Sequence, residues 1–214
     1  PRRLLVLAGS GNNGGDGFVV ARLLASRRWR CTVALVCGEP RPGGDAATNL
    51  AEWRRIGGRV VGREEALSLL GDGATGFDLG LDAIFGTGLD RDVLGPDADL
   101  IRRLNESRLP IVSVDIPSGL CSDTGRPLGA AVQARATLTI GAAKPGLFLA
   151  EGPGHAGRVR IADIGLLAPP AAADAEPSGA GFDFVLDERT TAGCLPRLSP
   201  LAHKGSRGHV LIIA

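Results

Sequence analysis

The chain has 214 residues, 44% of them hydrophobic and 22% charged, with a formal net charge of +1 at pH 7. That is the composition of a globular protein with room for one full domain and part of another. Near-neutrality gives no electrostatic ground for nucleic acid or an anionic membrane as partner, and no apolar run approaches the ~18 to 20 residues of a membrane-spanning helix.

Read in chain order, apolar runs alternate with amphipathic segments. Leu4 to Ala8 predicts a strand and Asp16 to Arg28 a helix, with the glycine-rich stretch AGSGNNGGDG turning between them. Cys31 to Cys37 predicts a second strand and Asp45 to Ile56 a helix. A short strand over Arg59 to Val61 precedes a helix near Glu64 to Leu70. Asp78 to Phe85 reads as a strand, Asp97 to Asn105 as a helix, and Pro110 to Asp115 as the next strand. Ala136 to Ile140 and Arg158 to Ile161 are two more. Such alternation with short connections predicts an α/β domain with a parallel sheet covered on both faces.

The pattern breaks at Ala168. Residues 168–181 are rich in Pro, Ala and Gly without periodicity and read as a linker after a domain over residues 1–167. Order resumes at Phe182 to Leu186, and residues 182–214 read as the opening of a second domain. A start at Pro1 beside a strand, and an end inside Val210 to Ile213, predict a fragment of a longer protein. The start does not read as a signal peptide. Cys31, Cys37, Cys121 and Cys194 form no CxxC pair, and His155, His203 and His209 do not stand at zinc-ligand spacing around them. Free thiols in a reducing cytoplasm are the expectation.

Four places carry chemistry. The first is the turn itself. Gly9, Gly11 and Gly14 match the spacing of the dinucleotide fingerprint, and Glu39 stands where a ribose-binding acid would sit. Asp16 at the predicted helix start complements the dipole but repels a phosphate, and it also reads as a simple cap. The second is Leu81 to Leu89, where Asp82 interrupts an apolar strand. A carboxylate there is costly unless it is paired or binds a cation. Gly86, Thr87 and Gly88 beyond it offer amides and a hydroxyl suited to phosphate oxygens, and Arg91 adds charge. The third is Val114 to Gly119, with Asp115 at a strand end. Parallel strands bring such ends together, so Asn13, Asp82 and Ser118 can converge as oxygen ligands of a hard cation. The fourth is Gly141 to Gly146, where Lys144 meets a phosphate, pairs with an acid, or is merely solvated. Lysine occurs only at 144 and 204 among 24 basic residues.

Taken in order, GSGNNGGDGFVVAR, LDAIFGTGL, VDIPSGL and TIGAAKPGLF resemble the NAD(P)H-hydrate epimerase family, the YjeF N-terminal domain, from about Pro1 to Leu166. The resemblance implies a three-layer α/β/α Rossmann-like fold with a mostly parallel sheet. It implies interconversion of the R and S epimers of hydrated NADH and NADPH, small-molecule substrates with a hydroxyl on the nicotinamide ring. By position it implies that Asn12, Asn13, Gly14, Gly15 and Asp16, the loop Gly86, Thr87, Gly88, Leu89, Asp90, Arg91 and Asp92, and Asp115 contact the hydrated dinucleotide. It further implies that Asn13, Asp82 and Ser118 bind potassium. Asp115, a strand-end carboxylate in a partly dry cleft, is the expected general acid/base.

The tail PRLSPLAHKGSRGHVLIIA resembles the start of an ADP-dependent NAD(P)H-hydrate dehydratase domain, which implies a bifunctional parent using ADP or ATP in that domain alone. Family members carry a helical segment before the first strand that helps form the cleft and the dimer; it has no counterpart here, and a homo-oligomer is the expectation. Leu89 to Asp92 is an acidic version of a loop often more basic in the family. An NAD(P)-dependent oxidoreductase, from the glycine fingerprint, and a non-enzymatic binding module of the same fold are the alternatives.

Overall fold

Leu4 to Ala8 are wholly inaccessible to solvent, and their alternation decides the layering of the domain. Leu4, Val6 and Ala8 enter one apolar cluster and Leu5 and Leu7 the other, on opposite faces of the same strand. A strand buried on both faces belongs at the centre of a parallel sheet. The computed structural model describes residues 2–71 and 76–165, which belong to one unit spanning Pro1–Ala168. The readings of a linker at 168–181, a strand at 182–186 and a second domain to 214 lie outside the described residues, as do Cys194, His203, Lys204 and His209.

The elements are β1 (Arg3–Ala8), α1 (Asn12–Ser26), β2 (Arg30–Leu35), α2 (Asp45–Arg55), β3 (Arg59–Gly62), α3 (Arg63–Leu69), β4 (Leu79–Ala83), α4 (Gly95–Glu106), β5 (Ile111–Val114), β6 (Ala136–Ile140), α5 (Gly152–Ala156) and β7 (Arg158–Ala162). Seven strands form one sheet in the order β3-β2-β1-β4-β5-β6-β7, and every pairing is parallel. This is the three-layer Rossmann-like arrangement expected. Phe18 and Ala21 of α1 and Leu50 and Trp53 of α2 cover one face; Ala66 of α3 and Ala98, Ile101 and Leu104 of α4 cover the other. The winding direction reverses between β1 and β4. Their carboxyl ends therefore border a crevice, the position at which open α/β sheets bind ligands.

The largest difference from the sequence expectation concerns α1. It starts at Asn12, with Gly11 as N-cap, so Asp16 is the fifth helical residue and caps nothing; no acid lies in the first turn. Glycines are poor helix formers, yet here they make the helix possible by packing. A Cβ on Gly14 would lie 2.0 Å from the Gly9 carbonyl oxygen, and one on Gly17 would lie 2.8 Å from the Ala83 Cβ. The backbone of α1 thus rests directly on β1 and β4.

Strand β4 is shorter than the apolar run suggests. It ends at Ala83 because the amides of Ile84 and Phe85 turn to side chains, Asp82 Oδ1 and Ser118 Oγ, at 3.3 and 2.8 Å. Helix α5 escapes the sequence reading. Its Gly-Pro-Gly start argues against helix, but Gly152 fits against the Gly146 carbonyl, where a Cβ would come within 1.8 Å, and Ala156 is buried.

Candidate functional site

Three chain segments meet at the carboxyl ends of β1, β4 and β5. The β1–α1 turn presents Gly11, Asn12, Asn13 and Asp16. The segment after β4 presents Ile84, Phe85, Gly86, Thr87, Gly88, Leu89, Asp90 and Arg91. Asp115 stands after β5. Together they line a cavity of about 480 Å³. A second cavity of about 490 Å³ shares Asn12 and Asp16 and continues over Gly15, Asp45, Thr48 and Asn49 of α2. Sharing these residues, the two make a groove across the open start of α1. With no acid in the first turn of α1, its free amides and dipole favour an anion there. A larger hollow of about 550 Å³ lies at the opposite, amino ends of the strands, among Trp29, Trp53 and Arg59. It holds none of the residues that the turns assemble.

Asp82 does not line the groove. Its side chain is wholly buried beneath it, where four donors converge: Ser113 Oγ at 2.7 Å and the Ser118 amide at 2.9 Å on Oδ2, and Ser118 Oγ at 2.5 Å and the Ile84 amide at 3.3 Å on Oδ1. Ser118 Oγ also accepts from the Phe85 amide. One carboxylate thereby ties β4, β5 and the loops after both. Burial pushes the Asp82 carboxyl above its usual value near 3.8, although these bonds act in the opposite sense. Ser113 was not singled out in the sequence; a lone hydroxyl in the apolar strand Ile-Val-Ser-Val is the signal it left.

Asn13 packs against Gly86, one residue from the Phe85–Ser118 bond; a Cβ on Gly86 would lie 3.4 Å from the Asn13 Cβ. Its Nδ2 is buried without a hydrogen-bond partner. Rotating the carboxamide by half a turn places Oδ1 there instead, an oxygen free to bind a cation. No group of three His, Cys, Asp or Glu side chains is placed to hold a metal among the described residues. One carboxylate with neutral oxygens suits a hard monovalent ion rather than a thiophilic one.

Asp115 has φ +67°, left-handed backbone that a non-glycine residue adopts at a cost of about 1–3 kcal/mol. The turn is held by its own amide, which donates to Leu138 O at 2.8 Å, and it aligns the carboxylate with β6. Oδ1 accepts from the Ile140 amide at 3.0 Å, Thr139 Oγ1 at 3.4 Å and Lys144 Nζ. Asp16, across the groove, has its carboxyl raised above the usual value by partial burial and by the negative charge of Asp115.

The remaining candidates divide clearly. Gly14 is buried within α1 as packing surface, Gly15 lines only the α2 side of the groove, and Asp92 lies outside both cavities. Arg91 stacks on Phe85 at 5.8 Å and leans toward Asp97 at 3.8 Å. Glu39 is not a ribose ligand in waiting: it is exposed, pairs with Arg54 at 2.6 Å and lines neither cavity. Gly11, named for its fingerprint spacing, and Ile84 and Phe85 of the Leu81–Leu89 stretch also line the groove; Asp45, Thr48 and Asn49 complete it and escaped the sequence reading. The described cysteines, Cys31, Cys37 and Cys121, are free thiols, and no helix among the described residues is long and apolar enough to cross a membrane.

Comparison with known proteins agrees with this fold. The family model described as YjeF-related protein N-terminus matches residues 1–146. The bifunctional NAD(P)H-hydrate repair enzyme Nnr of Moorella thermoacetica is 38% identical over 223 residues, covering 99% of this chain and 39% of its own length. The NAD(P)H-hydrate epimerase of Limosilactobacillus fermentum is 38% identical over 163 residues, covering 75% of this chain and 74% of its own length. The chain thus spans about two fifths of the bifunctional relatives, 40% in the case of Salinibacter ruber. The crystal structure of yeast ynu0, YNL200c, superposes with a TM-score of 0.63 at 24% identity over 75% of this chain and 65% of that one, a likeness of fold. On the family match and the identity to an epimerase of which it covers about three quarters, this chain belongs to the YjeF-related N-terminal domain family.

Proposed function

We propose that this domain is an NAD(P)H-hydrate epimerase, interconverting the R and S forms of hydrated NADH and NADPH in cofactor repair. The observation that carries the reading is the groove at the β1/β4 reversal, where a free helix start, the Gly86–Arg91 turn and Asp115 face one space. Amides at the start of α1 and in the Gly86–Gly88 turn are then available to phosphate oxygens, with Asp115 at the reacting ring. The names borne by the similar proteins point the same way.

In this reading Asn12, Asn13, Gly15, Asp16 and residues 86–91 face the substrate, with Gly14 as the packing support of the first loop and Asp92 at the end of the second, outside the groove. Asp115 is the general acid/base. Its described hydrogen bonds fall on Oδ1, so Oδ2 is the oxygen left to exchange a proton with the hydroxyl or the hydrated carbon. Epimerisation is redox-neutral, and the proton taken is returned. Asn13, Asp82 and Ser118 would hold the potassium ion, which would supply positive charge near the buried Asp82 carboxylate. The parent protein is proposed to be a cytoplasmic homo-oligomer that also dehydrates the S epimer with ADP or ATP, in a domain that starts within residues 182–214.

The test is to incubate purified R-hydrate of NADH with the intact parent and follow S-hydrate by chromatography. Asp115→Asn is expected to lower the rate by about 10²–10⁴-fold, the usual worth of a general acid/base. No acceleration over the spontaneous rate by the folded wild type, with potassium present, overturns the epimerase reading.

A further inference from the structure

Lys144 belongs to none of the loops assigned to substrate, yet it is one of the most deliberately placed side chains in the domain. Its side chain is only 19% exposed, and that of its partner Asp115 is 16% exposed. Nζ donates both to Asp115 Oδ1 and to the Ile140 carbonyl, the latter at 2.7 Å. A solvated surface lysine has neither the burial nor the second, fixed acceptor.

The loop around it is built to hold this geometry. Gly141 has φ +73° and reverses the chain directly after β6. Ala142 N returns to Ile140 O at 2.9 Å, and Thr139 Oγ1 lies 3.3 Å from Ala142 O and 3.4 Å from Asp115 Oδ1. Lys144 then caps the 3₁₀ turn Pro145–Leu147, which is locked by Gly146 N to Ser122 O at 2.6 Å. Ser122 follows the Asp115 turn, so both partners of the ion pair are anchored to one backbone frame.

Residue choice agrees. The chain uses arginine for every basic position but two. An ammonium is compact and sends donors in three directions, as a pair of acceptors on different segments requires. A planar guanidinium would present a fixed fork.

We infer that Lys144 is the positioning residue for Asp115, fixing Oδ1 so that Oδ2 faces the substrate in one orientation. This rests on the epimerase reading of the site. It acts through Asp115 and does not itself touch the reacting ring, since it does not line the groove.

The experiment uses the intact parent protein with Lys144→Ala, and Lys144→Met as a variant that keeps the apolar stem. Both are compared with wild type by epimerisation kinetics and thermal melting. We expect kcat to fall tenfold or more with KM changed less than threefold. We also expect ethylamine to restore kcat of Lys144→Ala in proportion to the protonated amine, with no effect on wild type. Variants with wild-type kcat overturn the inference. So does a loss of activity that tracks a loss of folding in both variants and resists the amine, which would make Lys144 structural only. An inactive wild type sinks the epimerase reading itself, before any variant is compared.

Discussion

Replacing Asp82 with alanine tests whether the site stands on one buried carboxylate. Four donors lose their acceptor. The Ser113 and Ser118 hydroxyls can rotate to other partners, but the amides of Ser118 and Ile84 are fixed. Each buried amide left unsatisfied costs about 1–3 kcal/mol, so two cost about 2–6 kcal/mol. At about 2–4 °C per kcal/mol for a domain of this size, the midpoint of that range lowers Tm by about 8–16 °C. Asp82→Asn is the sharper probe. Whichever way the carboxamide turns, its NH₂ meets one fixed amide, Ser118 N or Ile84 N, so about one such penalty remains and the burial of charge is relieved.

The pH dependence follows from the same geometry. The folded pKa of Asp82 is raised above its unfolded value, so the native state binds the proton more tightly. The contribution is fully present below the unfolded value near 3.8 and is lost as pH rises through the folded one. Wild type should therefore lose stability relative to Asp82→Asn as pH climbs through that window. Melting curves across pH, in the absence of potassium and with exposed Asp99→Ala as control, measure this. The reasoning is refuted if Asp82→Ala melts with the control, or if the difference between wild type and Asp82→Asn is flat with pH.

Other outcomes follow from single contacts. If potassium sits at Asn13, Asp82 and Ser118, the parent should melt higher in KCl than in tetramethylammonium chloride of equal ionic strength, by about 2.7 kcal/mol at a hundredfold excess over Kd. Asn13→Ala should abolish that gain, and equal melting of wild type in the two salts would remove the cation from the site. Gly14→Ala drives a Cβ to 2.0 Å from a backbone carbonyl that cannot retreat. We expect about 2–3 kcal/mol of destabilisation by overpacking and loss of epimerase activity, and a wild-type urea midpoint would contradict the contact. Burial pushes the Cys31 and Cys37 thiols up to about 11, whereas hydrogen bonds from Thr124 and Asp123 hold Cys121 below its usual value. A disulfide reagent at pH 8 should label Cys121 ahead of both, as read by peptide mass spectrometry; faster labelling of either buried thiol would overturn the assignment.

The sequence by itself determined what is local. The apolar run Leu4–Ala8 announces a strand, since it is short, wholly apolar and bounded by a glycine-rich turn. The glycines between Gly9 and Gly17 announce a tight turn between strand and helix. Asp82 and Asp115 stand out because a carboxylate at the end of an apolar strand demands a partner. The sequence grouped Ser118 with Asp82 only as ligands of a cation and left Lys144 among three roles; the direct bonds were decided by tertiary structure. Ser113 and Ser118 reach Asp82 from 31 and 36 residues away, and Lys144 reaches Asp115 from 29. The order β3-β2-β1-β4-β5-β6-β7 sets those distances to bonding range, and nothing in a linear pattern encodes strand order. The start of α1 fell outside local rules for the same reason. Helix propensity places it at Asp16, but the packing of Gly14 and Gly17 on β1 and β4 extends it back to Asn12. That shift clears acid from the helix start and turns its free amides to the groove.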